Sequence, residues 1–289
     1  MKPAAPGLAC LLWLCAAPAV AAGAVLQLGD AIPGHPGLTY YDLAKRLVTD
    51  LGPPRKEAEL VVAEGQKVIP FTHIEGKDRT GAPPQDISLN FSDVDAMNLP
   101  GDESRLLFLV DLGPEEEAVG HAVLLGLFSL VPALKLLDAV EVGSAESTGF
   151  AQKSKPPMLA KRTPLLLIDS EHDNADESTT STEMIFIRDN RFQFIGSFTT
   201  FDEKQCAYRR METPSYGILP GGGPFPAIRV AVEERVTPTG EQGCGSGQAS
   251  PKARVSTYAA TYRWDARARR YASQSTEMKR LEEDNGRYP

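Results

Sequence analysis

Apolar residues along this chain mostly recur at every second position or run unbroken for five or six residues, and both patterns predict strands. Arg105-Leu-Leu-Phe-Leu-Val-Asp111 is an unbroken run closed by an acid, the pattern of a strand covered on both faces. An acidic loop follows from Gly113 to Gly120, holding Glu115, Glu116 and Glu117. Next come a strand from His121 to Phe128, a turn at Pro132 and a strand from Leu134 to Val142. Pro164-Leu-Leu-Leu-Ile-Asp169 starts the same series again. Here the acidic loop spans Ser170 to Ser181, and a strand from Glu183 to Ile187 meets a polar turn at Arg188-Asp189-Asn190-Arg191. The strand from Phe192 to Phe201 should place Phe192, Phe194 and Phe198 on one face. In a third series Ile228, Val230, Val232 and Val236 alternate along one strand, and a Gly-rich loop runs from Thr237 to Arg254. Val255 to Trp264 and Tyr271 to Ser275 supply its other two strands. Gln205 to Pro226 reads as the connection between the second and third series.

The fold class this predicts is mainly β: three-stranded antiparallel meanders repeated about three times at roughly 60 residues. They would be arranged as propeller-like blades or as a sandwich. Ahead of them, Thr39-Tyr40-Tyr41-Asp42 has the form of a capping box, and Tyr40, Leu43, Leu47 and Leu51 follow at helical spacing. Gly52-Pro53-Pro54 stops that run, which predicts a short N-terminal helix. Residues 22–104 therefore read as this helix plus short strands, and residues 105–289 as the meander region, closed by a terminal helix from Glu277 to Asp284.

Residues 1–21 read as a signal peptide rather than as part of the fold. Lys2 is followed by the apolar stretch Gly7 to Val20, and Ala19-Val20-Ala21 has the small-x-small form that a signal peptidase cleaves. This predicts a periplasmic or secreted protein. The longest later apolar run, Ala122 to Leu134, is broken by Ser129 and Pro132 and is too short for a membrane helix, so no span is expected in the mature chain. Lys2 is the only charged residue removed with the signal, so 30 basic against 38 acidic residues becomes 29 against 38. An acidic chain of this kind is poorly suited to a phosphate backbone, which argues against nucleic acid as a partner. Two cysteines remain, Cys206 and Cys244, and in an oxidising compartment they are expected to form a disulfide.

Candidate chemistry concentrates in Asp169-Ser170-Glu171-His172-Asp173-Asn174-Ala175-Asp176-Glu177. Calcium takes several oxygens from a short flexible loop, and Asp169, Glu171, Asp173 and Asp176 could supply them. The loop has Asn174 and Thr180 where an EF-hand loop wants Gly and Glu, and a solvated hairpin is the competing reading. His172 with its neighbouring carboxylates is the one place where a hydrolase acting on envelope material would put its site. No Gly-x-Ser-x-Gly elbow and no His-Glu-x-x-His pair occurs. Glu233-Glu234 would point to opposite faces of a strand and reads as a solvated edge. Tyr258, Tyr262 and Trp264 share one face of a strand; such faces bind glycans and peptides or fill a core.

Leu106-Leu-Phe-Leu-Val-Asp-Leu112, Ser170-Glu-His-Asp173 and Tyr262-Arg-Trp-Asp265 together resemble secreted proteobacterial proteins to which no activity is attached. The resemblance covers most of the mature chain and implies a periplasmic setting, with no catalytic residues to carry over. The function expected is an extracytoplasmic binding or structural protein acting through a β surface, with an envelope protein or glycan as partner. The alternative is the envelope-directed hydrolase at His172.

Overall fold

The computed structural model describes residues 26–52, 60–62, 67–76, 88–90, 95–114, 121–143, 145, 147–151, 156–160, 163–221, 225–239 and 251–287. The signal segment, Glu115 to Glu117, the run Gly222-Gly223-Pro224 and Cys244 lie outside the described residues.

A two-stranded ladder, β1 (Ala31–Ile32) and β2 (His35–Thr39), leads into helix α1 (Tyr40–Leu47). The capping box is present: the Thr39 N–H donates to Asp42 Oδ2 at 2.8 Å, and the Asp42 N–H donates to Thr39 Oγ1 at 3.3 Å. Leu43, Ala44 and Leu47 are fully buried on one side of α1. The helix ends one turn before Leu51, because Val48 turns extended and bridges to Val68. A second small ladder joins β3 (Leu60–Val62) to β4 (Ser88–Asn90).

Four antiparallel strands then form a sheet in chain order: β5 (Asp95–Leu99), β6 (Asp102–Pro114), β7 (His121–Ser129) and β8 (Lys135–Glu141). Residues 104 and 105, where the sequence divides helix region from meander region, both fall inside β6, so this sheet draws strands from either side of that division. Its α1 face buries Leu106, Phe108, Val110, Leu124 and Phe128 with the helix, and its other face buries Leu107, Leu109, Leu125 and Leu127. Two-sided burial explains the unbroken apolar runs in β6 and β7.

The rest of the chain builds an eight-stranded antiparallel sheet. Its strands are β9 (Ser147–Phe150), β12 (Leu166–Asp173), β13 (Glu177–Arg188), β14 (Arg191–Lys204), β15 (Tyr208–Leu219), β16 (Ala227–Pro238), β17 (Arg254–Asp265) and β18 (Arg270–Ser273). The small ladder of β10 (Met158–Ala160) and β11 (Thr163–Pro164) lies beside it, and helix α2 (Glu277–Asn285) follows β18. The second and third strand series thus belong to one continuous sheet rather than to separate blades, and the sheet does not close into a barrel. What joins them is β15, which the sequence reading took for a connection. On this strand the inward positions include Arg210 and Glu212, and Pro214 and Gly217 interrupt it, so no apolar alternation marks it.

The sheet splits between β14 and β15. Those strands pair only from Asp202 to Lys204 against Met211 to Arg209, whereas β15 pairs with β16 along its whole length. Beyond the split the two halves face each other. Leu167, Met184, Phe186, Ile195 and Phe198 from one half meet Ile228, Val230, Val232, Tyr258 and Tyr262 from the other, with Leu281 of α2. The opposite face of the first half, with Leu166, Ile168, Ile185 and Phe192, packs on the four-stranded sheet. A bulge between Met184 and Ile185 leaves Ile195 unpaired on β14 and reverses the strand's facing. Phe192 and Phe194 therefore pack toward the four-stranded sheet and Phe198 packs into the split interior, which corrects the expectation that all three share a face.

Candidate functional site

The acidic segment around His172 is a hairpin and not an open loop. β12 pairs with β13 without a break from Leu166↔Ile185 to Asp173↔Ser178, leaving Asn174 to Asp176 as the turn. Asn174 Oδ1 accepts the N–H groups of Asp176 and Glu177 at 3.2 and 3.0 Å, and so closes that turn. Of the four residues expected to ligate calcium, Asp169 is drawn inward. Its Oδ1 accepts the Thr182 hydroxyl at 2.6 Å, and burial raises its pKa, opposed by that hydrogen bond. Glu171 and Asp173 are exposed on the strand and Asp176 lies in the turn, so the ladder keeps the four spread out. Among the described residues no group of three or more His, Cys, Asp or Glu is placed to hold a metal ion. Ser170 is buried with its hydroxyl 2.8 Å from Thr148 Oγ1, His172 is exposed, and Asp173 as the next residue points to the opposite face.

The densest polar cluster sits instead at the split. Arg210 is 1% exposed; its Nε donates to Glu234 Oε1 at 2.9 Å and its Nη2 to Glu212 Oε1 at 2.5 Å. The same Nη2 donates to Asn285 Oδ1 of α2. Arg254 reaches Glu234 from solvent at 3.0 Å. Glu203 is buried nearby and accepts the Tyr208 hydroxyl at 2.9 Å. Where the β14–β15 ladder stops, side chains take over its role. The Phe201 N–H donates to Glu212 Oε2 at 3.1 Å, and Asn285 Nδ2 donates to the Thr199 carbonyl at 3.2 Å. Burial pushes the Glu212 carboxyl up to about 7, against the opposing pull of the Arg210 charge. Glu233 is exposed and Glu234 fully buried, so the expectation of a solvated pair holds for the first only. Sequence reasoning missed Arg210, Glu212 and Asn285; alternation of Tyr208, Arg210 and Glu212 at spacing two was the available signal.

The split also fixes the outer face of the second half. Along β16 burial alternates strictly, Ile228, Val230, Val232, Glu234 and Val236 inward and Arg229, Ala231, Glu233 and Arg235 outward. On β17 the inward set is Tyr258, Ala260 and Tyr262, with Trp264 stacked on Phe225 at 4.1 Å between ring centroids. The shared face of these aromatics is real, and it is core. Outward from it lie Thr257, Ala259, Thr261 and Arg263, and the register sets Ala231 opposite Ala259 and Arg229 opposite Thr261. A cleft of about 490 Å3 opens on this side, lined by Ala259, Thr261, Arg263, Trp264, Asp265, Ala272, Gln274 and Ser275. Cys206 lies in the turn between β14 and β15, and its carbonyl accepts the Thr239 hydroxyl at 2.5 Å; its expected partner Cys244 falls outside the described residues.

Fold and site together define a mainly β protein of antiparallel sheets in which, among the described residues, nothing packs on the outer face of β15, β16 and β17. No protein-family model, no curated protein and no solved structure matches the chain. Among the described residues no helix is long and apolar enough to cross a membrane.

Proposed function

We propose that this chain is an extracytoplasmic binding protein that works through the outer face of β15, β16 and β17, with its meanders stacked as a sandwich and no catalysis on that face. The observation that carries the reading is the uncovered face itself. The apolar runs of β6, β7, β12 and β13 are buried on both sides, whereas β16, β15 as far as Thr213 and β17 from Tyr258 alternate between buried and more exposed positions. An open face of this width, small at its centre and polar at its edges, is a surface against which a partner can be laid. The reading of residues 1–21 as a signal places that partner in the cell envelope, as an envelope protein or glycan. Retention of the mature protein on an envelope fraction tests the reading. Ala231→Trp and Ala259→Trp set an indole at the centre of the face without changing its charge. Both should reduce retention about tenfold at an unchanged melting temperature. Retention that ignores both substitutions rules out the face, and a wild-type protein that is not retained rules out binding to the envelope.

A further inference from the structure

The open face is electrically unlike the rest of the molecule. The chain carries a net charge of −8, yet from Thr261 to Ser273 it has four arginines and one carboxylate, Asp265. Asp265 Oδ1 is already engaged, accepting the N–H groups of Arg267 and Ala268 at 2.8 and 2.9 Å in the β17–β18 turn. Arg263 and Arg270 lie on the outward side of their strands, Arg229 lies opposite Thr261 on β16, and Arg267 and Arg269 stand in the turn. All five are exposed. None of them forms an ion pair among the described residues, unlike Arg235 and Arg209 on the same face, which meet Glu233 and Asp202 at 2.8 Å. Exposed arginines that outnumber the single carboxylate among them raise the local concentration of anions. The cleft beside them presents Thr261 and Gln274, hydrogen-bonding groups, above a floor of Ala259 and Ala272.

We propose that this end of the face binds a carboxylate-bearing polysaccharide, with Arg229, Arg263 and Arg270 taking its acidic groups and the cleft taking a sugar ring. The proposal rests on the binding reading above and names its ligand class. Three chemistries compete for a basic patch. An anionic membrane needs apolar side chains to insert beside the charges. Among the described residues the exposed large hydrophobic residues are Val131, Met211 and Val255; Met211 and Val255 flank Arg235 at the other end of the face, away from Arg263 and Arg270. Single-stranded nucleic acid needs exposed aromatic rings on which bases stack. Trp264 is half-buried at the edge of the cleft, and Phe225 is already stacked on its ring at 4.1 Å between centroids, so it offers bases no free platform. An acidic glycan needs guanidinium groups, which can grip carboxylates with two parallel hydrogen bonds, and polar side chains for its hydroxyls. This end supplies both.

The test measures binding of the full mature protein to polygalacturonate, neutral dextran, vesicles with one-third phosphatidylglycerol and a dT oligonucleotide. Polygalacturonate should bind tightest and dextran negligibly, with affinity falling steeply from low to physiological salt. Arg229→Ser combined with Arg263→Ser should weaken polygalacturonate binding about tenfold or more, and Lys279→Ser on α2 should leave it within about twofold. Tighter binding to vesicles or oligonucleotide, or an arginine variant that binds as well as wild type, overturns the proposal. Loss of envelope retention in Ala231→Trp without any polygalacturonate binding would reject the ligand class and keep the binding face. Failure of both measurements would reject both.

Discussion

A carboxyl group with less than a tenth of its surface in water holds its proton more tightly than one in solution, and Glu212 is such a group. Burial moves it from an ordinary 4.5 up to about 7, with the charge of Glu234 adding to the rise. Arg210 and the Phe201 N–H pull the other way. Around it stand Arg210 from β15, the Phe201 N–H from β14, Glu234 from β16 and Asn285 from α2. A folded pKa above the unfolded one means that the folded state binds this proton more tightly. The stability that Glu212 contributes is therefore complete below about 4.5 and is lost as pH rises through about 7. The urea midpoint of the wild type should fall between pH 5 and pH 8 by more than that of Glu212→Gln, whose amide has no proton to lose. Equal slopes in the two proteins would show that Glu212 titrates like an exposed glutamate.

At the scale of elements, the close approach of β14 to β17 across the interior depends on one residue without a side chain. A Cβ built on Gly196 would lie 2.8 Å from Tyr262 Cε1 and 2.9 Å from its hydroxyl. Tyr262 is buried and has no room to retreat. Gly196→Val should cost about 1–3 kcal/mol in denaturant unfolding. Tyr262→Ala in the same chain should recover part of that loss, since the ring is what the new methyl groups meet. Full additivity of the two changes would mean that the strands are further apart than described. The elements themselves were legible where burial follows apolar chemistry: β6, β7, β13, β16, β17 and both helices stand close to where the hydrophobic pattern set them. The register details were not. A bulge at Ile195 has no apolar signature, and β12 and β13 run on through Ser170 to Ser181 because a paired ladder needs only backbone groups, whatever the side-chain charge. β15 was hidden for a different reason. Its buried side chains are paired charges, and a pattern search for apolar residues passes over them.

At the scale of the whole molecule, the sheet halves meet at a short junction whose turn carries Cys206. The Thr239 N–H donates to the Ala207 carbonyl at 3.1 Å, which brings the end of β16 beside that turn. Cys244 is five residues further on, and five residues of extended chain reach about 17 Å. A Cys206–Cys244 disulfide would thus tie the junction to the β16–β17 connection and add about 4 kcal/mol by restricting the unfolded chain. Wild type in oxidising buffer should melt well above the same protein in excess reductant, and Cys206→Ser should match the reduced protein in either buffer. A reductant-insensitive melting point would leave the two thiols unpaired. The open face was legible from the alternation of β16 and β17, but its arginines were not. They are scattered between positions 229 and 270 in sequence, and only the register of three adjacent strands gathers them. In mechanical terms, the split makes the molecule a hinge plate with a seam. Load applied across the strands would part β14 from β15 first, because three residues a side hold there while full-length ladders hold on either flank. The side chains of Glu212 and Asn285, fastened across that seam, act as its stitches.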